Sequence, residues 1–296
     1  MGWGCDGTMS PSNDPIKIVR CDELSKEGRK VIESSYSDRE IQQINEKIID
    51  AKDFLVAKLD AKEVGVVAMK EELKEKPYLH MECLAVLPGE FWDDAILSLV
   101  KGARAYAAEL GFSEIHIVES RDPYIEFLKR AGFQPTMEYL ILERDLTSIS
   151  QPKSQVVVKH IPGDVRSFVS AWNHIVSSGS TGDFPDFPPI TEEYIREKLP
   201  KLDSEGWFIA LRGTEPCGLI TVSKDKSLGD LMVSKSYRRM GIGTALAIEA
   251  LKYLKDKGSM RATLRVRAGN TEALRFYFHL GFVIQKTELD MVVHGR

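Results

Sequence analysis

At 296 residues, with 43% hydrophobic and 28% charged residues, the chain has the make-up of a soluble globular protein and the length for two domains of about 150 residues. Its net charge of −4 gives no support for a nucleic-acid partner, which a basic surplus would favour. No apolar run approaches the ~18–20 residues that span a bilayer, so no membrane partner is expected.

The opening Met1–Gly7 lacks the basic and apolar regions of a signal peptide, and Asp6 stands where a myristoylation start carries Ser or Thr. Cys5, Cys21, Cys83 and Cys217 form neither a CxxC pair nor a Cys/His cluster. That spacing predicts no metal site and no disulfide framework, and fits a cytoplasmic location.

In chain order, Ile16–Val19 reads as a strand and about 23–50 as helical. Phe54–Leu59 and Val64–Met69 read as a hairpin, His80–Val86 as a fourth strand, and Asp94–Leu110 as a long amphipathic helix. A fifth strand at Glu114–Val118, a short helix and a last strand follow. Thr147–Ser154 is polar, contains Pro152 and separates two strand patterns, which marks it as a linker.

Beyond that linker the pattern is written again: Val156–Lys159, helical sequence over about 164–200, a hairpin at Trp207–Leu211 and Gly218–Val222, a strand at Leu228–Val233, a helix at Thr244–Lys257 and a strand at Ala262–Val266. Val86 lies 147 residues before Val233, Gly132-Phe133 lies 149 before Gly281-Phe282, and Val64–Val67 lies 153 before Cys217–Ile220. A near-constant offset over three separated matches means two copies of one unit. Each copy combines antiparallel strands with a strand-helix-strand crossover, an α/β unit with a mixed sheet. The copies are expected at 1–148 and 149–296.

The second copy carries the chemistry. Arg238-Arg-Met-Gly-Ile-Gly-Thr244 joins a strand to a helix through two glycines, so that bare backbone N–H groups and the positive end of the helix converge on one point. Such a cradle suits a phosphate, and Arg238 and Arg239 add attraction. A second motif, N-x-x-A-x-x-F-Y-x-x-x-G-F, contains Asn270, Ala273, Phe276, Tyr277, Gly281 and Phe282. Asn270 is a good N-cap, and Ala273, Phe276 and Tyr277 fall on one side of the helix that it opens.

With these two motifs at this spacing, the sequence resembles the GNAT family of acyl-CoA-dependent N-acyltransferases, well over 215–285 and by element order over the whole second half. The resemblance implies two tandem GNAT-like domains of mixed α/β fold, with acetyl-CoA or another acyl-CoA as co-substrate. It maps Arg238, Arg239, Met240, Gly241, Ile242, Gly243 and Thr244 onto the turn that holds the coenzyme A pyrophosphate. Met232 and Val233 map onto the strand end that meets the acyl group and pantetheine, and Asn270 onto a pantetheine contact. Tyr277 matches the tyrosine that protonates the departing thiolate. The fourth and fifth strands of the family splay to admit the pantetheine arm.

The implied reaction transfers an acyl group from a thioester to a primary amine of a small molecule or peptide. A lysine-like ammonium of pKa about 10.4 is mostly protonated at neutral pH and needs a base, whereas a phenol of pKa about 10 is protonated and ready to serve as acid. Asp230 is the nearest acidic candidate for the base; Ser227, where some members carry glutamate, offers no carboxylate. Asp186, His174 and Glu193 remain alternatives, as does a water-mediated base. Family substrate choice lies between the first two strands, where Ser177–Ile190 forms a proline-rich loop whose Phe184 and Phe187 are expected to line the acceptor pocket.

In the first copy, Phe91, Asp94 and Ile96 stand opposite Arg238, Gly241 and Gly243, while Leu128 and Arg121 stand opposite Tyr277 and Asn270. Asp93 and Asp94 at a helix start are expected to satisfy the N–H groups and the helix dipole themselves. The first copy is therefore expected to keep the fold without binding acyl-CoA, leaving one cofactor per chain. The rival reading is a non-catalytic acyl-CoA-binding sensor.

Overall fold

The computed structural model describes residues 16–294 apart from 38–39, 42–43, 46–47, 49–50, 52, 74–75, 150–155, 179–188 and 199–201. Phe184, Asp186 and Phe187 lie outside the described residues. The chain divides into two compact units, Met1–Glu138 with Glu288–Arg296, and Tyr139–Thr287. These bounds differ from two contiguous copies divided at 148/149. The reason is in the last strand of each unit.

The first unit holds β1 (Ile16–Cys21), α1 (Lys26–Ser35), β2 (Asp53–Leu59), β3 (Lys62–Glu72), β4 (Tyr78–Val86), α2 (Trp92–Leu110), β5 (Glu114–Glu119) and α3 (Asp122–Arg130). β1 to β4 are antiparallel neighbours in chain order, and β4 pairs parallel to β5 over Leu79–Met81 only. Along α2, Ala95, Leu99, Ala103 and Tyr106 recur on one face and are buried against the sheet, and Gly111 at φ +79° ends the helix. The opposite sheet face packs Val56, Val66, Ala68 and Ala85 under Val31 and Ile32 of α1.

β6 (Gln134–Asp145) closes the first copy, and the second unit continues with β7 (Val157–His160), α4 (Val165–Ser177), α5 (Glu192–Lys198), β8 (Leu202–Arg212), β9 (Glu215–Ser223), β10 (Leu228–Val233), α6 (Ile242–Asp256), β11 (Arg261–Arg267), α7 (Thr271–His279) and β12 (Val283–His294). β7 to β10 form an antiparallel sheet in chain order. α6 covers one face through Leu246, Ala250, Leu251 and Leu254; Phe168, Trp172 and Ile175 of α4 cover the other over Trp207 and Leu219. Both crossover helices start two residues earlier than the sequence pattern suggests, and β8 begins at Leu202 rather than Trp207.

In the first unit, β5 pairs with the end of β12, from Leu289 opposite Glu119 to His294 opposite Glu114. In the second, β11 pairs with the end of β6, from Arg261 opposite Asp145 to Arg267 opposite Tyr139. Each copy thus receives its last strand from the other. Exchange of equivalent elements between repeats costs little, because each edge meets a strand of the pattern that it would otherwise meet. Among the described residues no helix is long and apolar enough to cross a membrane, and no group of three His, Cys, Asp or Glu is placed to hold a metal.

Candidate active site

β10 feeds directly into the anion turn. Ser234 donates its N–H to the Cys217 carbonyl (3.0 Å), a short 3-10 turn spans Lys235–Tyr237, and Arg238 is extended. Arg239 then takes a left-handed φ of +62°, rare for a residue with a side chain, and Gly241 follows at +78° as N-cap of α6. No side chain caps this helix, and the N–H groups of Ile242, Gly243 and Thr244 bond to nothing else among the described residues. A Cβ on Gly243 would meet Phe276 at 3.5 Å and Val233 at 3.7 Å, ordinary contact distances. The bare Cα is therefore not demanded by internal packing. It leaves the amides open to an anion, and the turn fits a phosphate.

β10 and β11 diverge above this turn, touching at a single described bridge between Ser227 and Thr263. Met232 is buried among the side chains under α4, and Met232 and Val233 pair with Leu219 and Gly218 of β9, so their other backbone edge faces the opening. Asn270 caps α7 by accepting the Ala273 N–H (3.1 Å), which leaves its side-chain NH2 for a ligand. Tyr277 is 8% exposed, edge-on to Phe276 and Phe282, and its hydroxyl has no hydrogen bond among the described residues.

Asp230 stands at a bulge. Leu228 pairs with Val222 and Leu231 with Ile220, so Gly229 and Asp230 together oppose Thr221. Asp230 is exposed, and desolvation by the neighbouring protein raises its pKa above the ordinary carboxylate value. Burial pushes Tyr277 up to about 12, and the Asp230 charge adds to the rise. Of the alternative bases, His174 is tied to Glu215 at 3.2 Å, which also accepts from the Tyr237 hydroxyl at 2.9 Å, and Glu193 lies exposed on α5. Sequence reasoning passed over Thr221 and Gly229. Their signal was a hydroxyl and a side-chain-free residue inside otherwise apolar strands.

The equivalent opening in the first unit is filled by its own side chains. Arg121 donates to the Leu84 carbonyl (2.7 Å), the Tyr36 hydroxyl (2.9 Å) and Glu119 (2.8 Å), and its guanidinium lies 3.7 Å from the Tyr124 ring centre. Tyr124 in turn accepts the Val86 N–H at 3.0 Å. Val86 is the counterpart of Val233. At α2, by contrast, no side chain makes a capping hydrogen bond; Asp93 and Asp94 lie in the first turn without taking its N–H groups. The expectation that these acids satisfy the amides is corrected: their effect there is charge alone.

The acetyltransferase (GNAT) family model matches residues 172–282. A mycothiol acetyltransferase of Catenulispora acidiphila is 25% identical over 177 residues, covering 54% of this chain and 55% of that protein. One from Streptomyces coelicolor is 29% identical over 160 residues, covering 50% of each chain. The chain spans about half the length of these curated relatives. A solved tandem GNAT protein from the clavulanic acid biosynthesis pathway superposes with a TM-score of 0.72 at 14% identity, covering 95% of this chain and 99% of that one, a likeness of fold. The second half of the chain thus matches the GNAT family model over residues 172–282, and the whole chain shares the fold of a tandem GNAT protein. Members of this acetyltransferase family use acetyl-CoA as co-substrate.

Proposed function

We propose that the chain is an N-acetyltransferase that moves the acetyl group of acetyl-CoA to a primary amine of a small molecule or peptide. The observation that carries this reading is a left-handed glycine turn at the start of α6 whose backbone amides are unspent, in the unit that buries Tyr277. Arg238, Arg239 and the 241–244 amides hold the pyrophosphate, and the open edge of Met232–Val233 with the Asn270 amide guides the pantetheine arm. Asp230, directly or through water, accepts the proton of the attacking amine. Nitrogen adds to the thioester carbonyl, the carbon–sulfur bond breaks, and Tyr277 gives its proton to the leaving sulfur. A raised pKa makes Asp230 a stronger base than an ordinary carboxylate, and burial, with the Asp230 charge, keeps Tyr277 protonated.

The first unit, in this reading, binds no cofactor, since Arg121 and Tyr124 already engage the backbone of Leu84 and Val86. The test is direct. Acetyl-CoA should raise the melting temperature with one site per chain, and thiol release should appear with at least one member of a panel of small amines and peptide amino termini. The precursor of mycothiol belongs in that panel because of the relatives named above. Binding without turnover across the panel would replace the enzyme by an acyl-CoA sensor, and absence of binding would sink both.

A further inference from the structure

Thr221 is an anomaly in its strand. It is 3% exposed in the middle of Cys217-Gly-Leu-Ile-Thr-Val222, on a strand flanked by β8 and β10, where an aliphatic side chain would fill the same space. Its hydroxyl oxygen accepts the backbone N–H of Asp230 at 3.0 Å. That N–H sits in the bulge, where two residues of β10 face one of β9 and the regular ladder is interrupted. Gly229 makes the contact possible: a Cβ there would lie 2.2 Å from the Thr221 hydroxyl oxygen, closer than any real contact, so any other residue would expel the hydroxyl or the strand.

The first unit supplies an internal control. Its β4 carries a bulge at the same place, where Ala68 pairs with Cys83 and Met69 with Met81, leaving Glu82 extra. By the repeat offsets, Ala68, Glu82 and Cys83 are the counterparts of Thr221, Gly229 and Asp230. The bulge therefore forms with an alanine in the threonine position and a glutamate in the glycine position. Neither the Thr221 hydroxyl nor the bare Gly229 is needed to make the fold bend here. The trio of threonine, glycine and aspartate stands in the unit with the open turn and is missing from the unit whose opening is filled.

We propose that Thr221 is a positioning residue: its hydroxyl, admitted by Gly229, pins the Asp230 backbone in the bulge and so directs the Asp230 carboxylate into the opening beside Tyr277. The inference rests on the reading of Asp230 as the base only for its kinetic consequence; the placement itself is independent of turnover. A pinned backbone matters because a carboxylate whose backbone shifts loses its aim at the acceptor proton. A displacement on the order of 1 Å costs about a hundredfold in rate when geometry is set by the protein.

The test uses the full chain, with Thr221→Val to remove the acceptor at nearly equal volume, Thr221→Ser to restore it, and Thr221→Ala as the replacement that the first unit already tolerates. Carboxyl-carbon NMR, with Asp230 assigned by Asp230→Asn, follows the Asp230 titration. Valine and alanine should return Asp230 towards an ordinary carboxylate pKa, serine should keep the parent value, and affinity for coenzyme A should be unchanged in all three. Parent-like titration of Asp230 in both the valine and alanine variants overturns the proposal. Thiol release from acetyl-CoA is then measured with glycinamide as the amine probe. Thr221→Val should lower kcat about tenfold to a hundredfold and have no further effect on top of Asp230→Asn. An equal loss in both backgrounds also overturns the coupling. If Asp230→Asn alone runs at the parent rate, the base assignment fails, while the titration result still decides the placement.

Discussion

Gly241 and Gly243 serve the same turn by different physics. At φ +78° Gly241 holds a backbone shape that costs an L-residue roughly 1–2 kcal/mol, while a Cβ there would touch nothing within 4 Å. Gly243 has ordinary helical surroundings, and a side chain there would stand among the unspent amides of the turn. Gly241→Ala should therefore lower the melting temperature modestly, and Gly243→Leu should hardly change it. Both should weaken coenzyme A binding by about tenfold or more, the worth of one or two charge-assisted hydrogen bonds, as read by calorimetry. Tyr277→Phe should lower kcat on the order of a hundredfold and leave coenzyme A affinity and melting temperature near the parent, since its hydroxyl makes no described hydrogen bond. The folded pKa of Asp230 is raised, so the base forms only as pH climbs past the ordinary carboxylate value of about 4, and kcat should rise with pH through a midpoint above that. The same shift means that the folded chain binds the Asp230 proton more tightly than the unfolded chain. Its contribution to stability is then greatest at low pH and is lost as pH rises through the folded pKa. Asp230→Asn should flatten the acid limb of the pH profile and melt no lower than the parent at neutral pH.

The two crossover helices illustrate what an element's first turn decides. α6 begins at a left-handed glycine with its amides unspent, while α2 begins at Phe91 with Asp93 and Asp94 in its first turn. Both helices are amphipathic and both bury an alanine- and leucine-rich face, so their packing alone would not tell them apart. The difference continues into the gap between the fourth and fifth strands. In the first unit, Glu119 and Arg121 are an ion pair largely removed from water, sandwiched by Tyr36 and Tyr124. Burial works against the Arg121 charge, but Glu119 outweighs it and the guanidinium pKa stays raised. Removing one member of such a pair leaves an uncompensated buried charge, so Arg121→Ala should cost about 3–5 kcal/mol in chemical denaturation. The variant should still bind one coenzyme A per chain, because the α2 turn retains its two acids.

For the whole molecule the exchange of last strands has a consequence that the linear repeat hides. Leu140 and Leu142, both buried, pack in the core of the second unit, and Met291 and Val293 pack in that of the first. A chain starting at 149, the boundary that the repeat suggests, lacks both leucines and the β6 partner of β11. With about 1.5–3 kcal/mol for each buried aliphatic side chain, plus the exposed edge of β11, that fragment should be insoluble or melt far below the parent. A start at 139 keeps this pairing, and comparing the two fragments by circular dichroism checks the point. A fragment from 149 that melts like the one from 139 would contradict the exchange.

Much of this architecture was legible in the residues. The repeat offsets, the fourth strand of each copy and the glycine turn follow from periodicity and from residue types with narrow conformational uses. Such signals are local, and Gly241, Asn270 and the alternating strands carry them within a few positions. What the tertiary structure decided were relations between distant positions. The sequence could not show the bulge at Gly229–Asp230, which breaks the strand alternation there, because it arises from the pairing of β10 with β9. It suggested that Asp93 and Asp94 fill the first anion turn, whereas the opening of that unit is filled by Arg121, whose partners lie 37 and 85 residues away. It also divided the chain at the linker, while the units exchange strands beyond it. By itself the sequence determined which elements form and where the glycine turn lies, because backbone preference and capping act locally. Only the folded chain decided which side chains meet across the openings and which copy each last strand completes, because pairing energy depends on the edge presented and not on the order of the chain.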